Sequence, residues 1–278
     1  MDFAQFILLH GGDDPAALAL SRNRLMAETD DFDLALSTLE ARRKLRGKVP
    51  EWYDCAALHY PVALAAEQCS STETARYKVG AALRAFPGAG RLADLTGGLG
   101  VDSWAFSERF SEVLYNEMQP ALAAAAVHNF TLLGRDNIRV QSRELRPGNV
   151  RELLEGFGPD ILFLDPARRS SGGRRLFRLE DCSPDVTALL PELLEVCPRL
   201  LLKLSPMADI TRVCKQLCCV KAVHAVAAEG ECKELLLALE QGYGGQYRLT
   251  VYEGGAAVDL PLDGGAPPQY LPAGIMPE

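Results

Sequence analysis

From Arg91 onward, short apolar runs recur between stretches with helical spacing, and this alternation restricts the possible folds more than any other feature of the chain. Two of the runs, Ile161–Leu164 (ILFL) and 200–204 (LLLKL), have almost no polar position. A strand with one wet face shows a polar residue at every second position. A strand that is apolar on both faces has to be covered on both, as in a parallel sheet with helices above and below. The pattern predicts strands near 91–95, 112–117, 138–142, 160–165, 199–205, 220–227 and 234–240, with helices near 101–109, 119–133, 147–156, 184–197 and 209–218. Only residues 228–233 separate the last two strands. That link is too short for a helical crossover, so these strands should pair antiparallel.

With 278 residues, 48% of them apolar and 24% charged, the chain has the material for a full core. Three regions are expected: a helical stretch over 1–88, an α/β domain over 89–241, and a Gly/Pro-rich segment over 242–278 in which 246–252 can form one more strand before loop and tail. In the first region, helices are predicted at 15–27 and 32–46, with Asp30 or Asp31 placed to cap the second and Pro50 beyond its end. That second helix ends in Arg42, Arg43, Lys44, Arg46 and Lys48, followed by Trp52 and Tyr53. The run reads equally as a solvated helix end or as a phosphate-facing patch. Net charge is -8, which argues against a generally basic coat for nucleic acid. No apolar run approaches the length of a membrane span and no signal core is evident, so a cytoplasmic protein is expected, and its eight cysteines, none in a CxxC pair, read as reduced thiols. Cys214, Cys218, Cys219 and Cys232 with His224 match no common metal-site spacing, and no metal is predicted.

In an open α/β sheet, ligands bind beyond the carboxyl ends of the strands. Four of the predicted ends carry apt residues. The first is RLADLTGGLGVD (91–102), an acid followed by a glycine turn that opens a helix; Asp94, Thr96, Gly97, Gly98, Gly100 and Asp102 are its candidate cofactor-binding residues. The second is Glu117, whose carboxylate can accept from two ribose hydroxyls, with Met118 beside it to pack on an adenine face. An acid at Asp94 would repel a pyrophosphate and suits the cationic methionine end of S-adenosylmethionine, so this cofactor is preferred over NAD. At the third end, Ser142, Arg143 and Glu144 leave open which group meets the adenine amine.

The fourth end is DPARR (165–169). Asp165 followed by the stiff Pro166 can present a carboxylate oxygen and a carbonyl together, two acceptors for the two hydrogens of an amine. Beyond it, RRSSGGRRLFR (168–178) sets Arg168, Arg169, Arg174, Arg175 and Arg178 in a Ser/Gly-rich loop suited to phosphodiesters, with Ala167 before it among the candidate substrate-binding residues. Where enzymes that methylate pyrimidine carbon place a cysteine, the next strand ends in Ser205, which favours transfer to nitrogen. Ser70 and Ser71 are read as either the cap of a connector helix or an edge of the substrate site.

This layout, five strand-helix units closed by an antiparallel hairpin, is the Rossmann-like layout of class I methyltransferases. More specifically, the chain resembles a bacterial family of class I S-adenosylmethionine-dependent methyltransferases that carry a THUMP-like domain after the catalytic one. The resemblance rests on EQCSSTETARYK (67–78), ADLTGGLGVD (93–102), the NE of YNEMQP with HNFTLLG (128–134), LDPARR (164–169), KLSPMAD (203–209) and ECKELL (231–236), and covers about residues 40 to 240. It implies a catalytic domain at 89–241 behind a helical region, an RNA substrate such as tRNA or rRNA, cofactor binding by Asp94, Gly98, Gly100 and Glu117, and a substrate-facing Asp165 and Pro166. Two departures stand out. Thr72 occupies a place usually held by an acid, with Glu73 one position later, and the THUMP-like part would be expected to begin near Glu278, where the sequence stops. The other functions weighed are a methyltransferase for a small-molecule or protein amine, a non-catalytic RNA-binding scaffold, and, last, NAD-dependent redox chemistry.

Overall fold

The structure, a computed structural model, describes residues 1–168, 178–261 and 269–271. The chain divides into two units, one made of Met1–Arg76 with Gly97–Arg143 and the other of Tyr77–Thr96 with Glu144–Glu278.

In the first unit, the helix Phe32–Leu45 begins where Asp31 accepts the Leu34 N–H at 2.9 Å. Its buried face meets Phe6, Ile7, Leu18 and Leu25. The predicted helix at 15–27 is interrupted: Pro15–Leu20 and Arg22–Leu25 are separate, because Ser21 leaves helical geometry and its carbonyl accepts the N–H groups of Arg24 and Leu25. Pro50 opens the short helix Pro50–Tyr53. The same unit holds the helices Val101–Phe106 and Pro120–Leu132, and two strands from the α/β part, Glu112–Asn116 (β2) and Ile138–Gln141 (β3), which pair parallel.

The second unit contains Arg91–Asp94 (β1), Ile161–Leu164 (β4), Arg199–Leu204 (β7), Val220–Ala228 (β8), Glu231–Glu240 (β9), Arg248–Glu253 (β10), Ala256–Leu260 (β11) and Gln269–Leu271 (β12), in the order β12-β11-β10-β8-β9-β7-β4-β1. A separate two-residue ladder joins Ala167–Arg168 (β5) to Cys182–Ser183 (β6). The strands β1, β4 and β7 are parallel, and all four residues of ILFL are buried, as their pattern requires. The pair β8 and β9 is antiparallel, as expected from the short link. The strand β9 also pairs antiparallel with β7 and so lies between β7 and β8.

Two expectations need correction. The helix predicted at 147–156 is a single turn, Val150–Leu153, flanked by Gly148 and Gly156 at positive φ and held by Glu192, whose carboxylate accepts the Gly148 and Val150 N–H groups. The stretch after Glu253, expected to be loop or tail, contains β11, which pairs antiparallel with β10. Gly254 and Gly255, both at positive φ, make the tight turn between them and account for a glycine content that resembled a tail. Among the described residues, no helix is long and apolar enough to cross a membrane, and no group of three or more His, Cys, Asp or Glu is arranged to hold a metal ion.

Candidate active site

In the second unit, β1 delivers Asp94 fully buried, its carboxylate accepting the Thr96 N–H at 3.1 Å. The strand ladder continues one residue further, from Leu95 N–H to the Phe163 carbonyl at 3.0 Å. Thr96 then reaches the neighbouring strand end, its hydroxyl accepting the Asp165 N–H at 2.7 Å. Asp165 is partly exposed, Pro166 is buried and Ala167 is exposed, pairing with Ser183. The Asp165 carboxylate is held by Lys203, whose Nζ lies 2.5 Å from Oδ2. Behind Lys203 stands the buried Glu234, 3.7 Å away, which in turn binds the fully buried Lys78 at 2.9 Å.

In the first unit, the chain runs on through Gly97 into the glycine turn, which is locked from several sides. Gly97 N–H donates to the Asn116 carbonyl at 2.8 Å, and Gly100 N–H to the Gly97 carbonyl at 2.9 Å. Gly98 N–H donates to Glu117 Oε2 at 2.9 Å, while the Tyr115 hydroxyl donates to the Gly98 carbonyl at 2.6 Å. A Cβ at Gly97 would overlap the Tyr115 ring, and one at Gly100, where φ is +99°, would lie 2.8 Å from Phe130. Both positions are glycine because aromatic side chains occupy the space a side chain would need.

Glu117 is buried at the end of β2, and its second oxygen accepts the Gln119 N–H at 2.8 Å. Each carboxylate oxygen can accept two hydrogen bonds, so each has one acceptor site left after these contacts. Met118 is exposed. At the third strand end, Asn116 clasps the backbone of Arg143 in both directions, at 3.0 and 3.2 Å, which fixes the course of 142–144.

Ser70 and Ser71 have separate tasks. Ser70 donates to Asp102 Oδ2 at 2.9 Å and ties the serine box to the helix that follows the glycine turn. Ser71 accepts the Thr74 N–H and starts the helix Thr72–Ala85. Thr72, in the place where an acid was expected, donates to Glu51 at 2.8 Å.

Most of the basic run at 42–48 makes contacts within its own unit. Arg42 is buried, its guanidinium 4.6 Å from the Tyr53 ring centre and bonded to the Cys55 carbonyl. Arg43 bonds the Asp13 carbonyl, Lys44 faces Glu67, and Lys48 bonds the carbonyls of Ala66 and Glu67. Trp52 is fully buried. Four of these five cations hold the helices of their own unit together. Arg169, Arg174 and Arg175, and the side chain of Arg168, lie outside the described residues. A cavity in the first unit lined by Asp31, Asp33, His59 and Ala121 among others contains none of the predicted site residues.

Sequence reasoning gave no role to Tyr115, Asn116, Lys203 or Glu234. Lys203 had a visible signal, a lone cation in the apolar run LLLKL. The roles of Tyr115 and Asn116 depend on which atoms meet across the turn, which spacing does not reveal.

No family model and no curated protein matches the sequence. The crystal structure of a candidate methyltransferase from Porphyromonas gingivalis W83 is similar at 28% identity and a TM-score of 0.74, covering 97% of this chain and 64% of that one. The fold is Rossmann-like. The present chain spans 64% of the length of that protein. Slighter likenesses reach an rRNA methylase from Streptococcus thermophilus, at 11% identity and TM-score 0.42 over 60% of this chain and 94% of that one, and the N-terminal domain of EvdMO1 with SAH and D-fucose, at 14% identity and TM-score 0.39 over 59% and 81%. These two are too distant to bear on function.

Proposed function

We propose that the chain is an S-adenosylmethionine-dependent methyltransferase of the cytoplasm that methylates a base nitrogen in structured RNA, tRNA or rRNA, within the family bearing a THUMP-like domain. The observation that carries this reading is Glu117: a buried carboxylate at a strand end, bonded to the glycine turn, with one acceptor site left on each oxygen. Such a group fits the two hydroxyls of a ribose. Similarity to the Porphyromonas gingivalis protein along almost the whole chain supports the methyltransferase part of this reading.

The donor set suits this cofactor. Glu117 is assigned to the ribose and the buried Asp94 to the ammonium of the methionine end; a carboxylate there disfavours a pyrophosphate. Thr96, Gly97, Gly98, Gly100, Asp102 and Met118 are assigned to its surroundings, Ser70 acting through its bond to Asp102. When bound, S-adenosylmethionine supplies an electrophilic methyl carbon. The protein's part is positioning: Asp165 and the Pro166 carbonyl accept the amine hydrogens, which turns the nitrogen lone pair toward the methyl group. The arginines 168, 169, 174 and 175 are assigned to the RNA backbone on the strength of their charge in the sequence, and Ala167 to the substrate edge as their neighbour after Pro166. Ser71 is assigned to the helix start.

Methylation of an amine on a small molecule or protein is the second reading, favoured by one observation: the other basic run, 42–48, is engaged within its own unit. The test uses calorimetry for S-adenosylmethionine binding and transfer of labelled methyl to bulk cellular RNA. Glu117→Gln should weaken cofactor binding about 10-fold or more, as expected for a hydrogen bond to a charged group. Asp165→Ala should keep cofactor binding and lose transfer. Absence of cofactor binding overturns the proposal, and transfer to small amines with none to RNA selects the second reading.

A further inference from the structure

Lys203 interrupts a strand whose Leu200, Leu201, Leu202 and Leu204 are all buried. A leucine there would pack as readily, and an ion pair in such surroundings gives little stability over an apolar replacement. Its contacts suggest another reason for a lysine. Four charges alternate in sign along the second unit, Asp165, Lys203, Glu234 and Lys78, with side-chain exposures of 34%, 13%, 4% and 0%. Glu234 lies closer to Lys78, at 2.9 Å, than to Lys203, at 3.7 Å. The ammonium of Lys203 is therefore steadied from behind and directed at Asp165 Oδ2, 2.5 Å away. Thr96 fixes the backbone of Asp165 from the other side, at 2.7 Å.

We propose that Lys203, backed by Glu234 and Lys78, is a positioning residue that fixes the rotamer of Asp165, with Oδ2 occupied and Oδ1 turned to the substrate amine. The inference rests on the reading of Asp165 as the amine-holding group. An ionised carboxylate can only accept hydrogen bonds, so a lysine on one oxygen leaves the other to recognise an N–H. The pair is neutral overall, which lets an anionic substrate approach without meeting an isolated negative charge. A neutral residue at 203 would let the carboxylate rotate away from the reacting nitrogen.

The experiment uses the full chain and compares Lys203→Met with Lys203→Arg. Lys203→Met should fold, because Lys78 and Glu234 still face each other and the partly exposed Asp165 can be hydrated. Two readouts are needed. The first is the ¹³Cγ resonance of Asp165 at neutral pH, assigned by its loss in Asp165→Asn: it should move in Lys203→Met and stay near its original place in Lys203→Arg. The second is methyl transfer to bulk cellular RNA, where Lys203→Met should lower kcat about 100-fold, the scale of a misplaced reacting group, with cofactor affinity unchanged and most of the rate kept by Lys203→Arg. An unmoved resonance, or an unchanged kcat in Lys203→Met, overturns the inference. If the wild type transfers no methyl group to RNA, the substrate reading fails while the resonance still decides whether Lys203 controls Asp165. Should Lys203→Met not fold, the ¹⁵Nζ resonance of Lys203 answers the same question, since Asp165→Asn must shift it.

Discussion

Glu117 and Asp165 are both carboxylates at the ends of buried strands, and they are immobilised by different chemistry. Glu117 is held by neutral backbone donors, the N–H groups of Gly98 and Gln119, beside a turn whose side-chain space is filled by Tyr115 and Phe130. Asp165 is held by a cation that belongs to a row of alternating charges. A carboxylate pinned by amides has no counter-ion beside it, whereas one pinned by lysine has one. The first arrangement suits a partner offering hydroxyls, and the second a substrate that carries phosphates. The two regions should therefore fail differently: the turn through steric conflict, the row through uncompensated charge.

The largest effect should come from Glu234→Gln. The change leaves the ammonium groups of Lys78 and Lys203 facing a neutral amide in a buried setting, and breaking one member of such an arrangement costs about 3–5 kcal/mol. Chemical denaturation measures it. Replacing Lys78 and Glu234 together, as Lys78→Met with Glu234→Leu, should cost much less, because no buried charge is then left without compensation inside that pair. A single-variant loss below about 1 kcal/mol would mean that the row is not what organises this region.

Gly97→Ala should follow, at about 1–3 kcal/mol, the usual cost of forcing extra volume into a filled site. The added methyl overlaps the Tyr115 ring, which cannot swing aside without giving up its 2.6 Å bond to the Gly98 carbonyl. Pairing the change with Tyr115→Leu should recover part of the loss in a double-mutant cycle. Because the conflict is steric, its size should not change with salt, and a strongly salt-dependent loss would erase the contrast between the two regions.

The parts of this molecule that were legible in the sequence are those set by periodicity and chain length. ILFL had to be a covered strand, and the link at 228–233 had to be a hairpin. The candidate residues Asp94, Gly98 and Glu117 were visible because an acid, a glycine turn and a second acid recur at short, ordered spacings. What was not legible depends on side-chain reach across the fold. The cations at 42–48 look like a surface patch in one dimension, yet Arg42 lies against Tyr53 and Lys48 reaches the carbonyls that end a neighbouring helix. Long aliphatic stems let such groups satisfy carbonyls far along the chain, so charge density alone did not fix their environment. Lys203 and Glu234 are thirty-one positions apart by number and meet only because β9 pairs antiparallel with β7. The strand β11 was missed for the opposite reason: its turn glycines gave it the composition of a tail.

The smallest effect expected is a pH dependence, and it separates charges buried in pairs from a titratable group buried neutral. His224, in the middle of β8, is buried, and its Nδ1 lies 2.8 Å from the Tyr77 hydroxyl. Burial pushes its pKa down to about 3, helped by the positive charges of Arg84 and Arg248. Burial also raises the pKa of Tyr77, so the phenol keeps its proton and can donate it to a neutral imidazole. In the unfolded chain, a histidine takes up a proton near pH 6.5. Between that pH and about 3 the unfolded state binds one proton more than the folded state, so stability is full above the unfolded pKa and declines as pH falls. The slope is about 1.4 kcal/mol per pH unit for a single group. Denaturation curves at pH 7.0, 6.0 and 5.0, run on the wild type and on His224→Gln, should show the variant less stable at neutral pH but with a flatter decline on the acid side. Parallel declines in the two proteins would mean that the buried imidazole is not the source of the acid sensitivity.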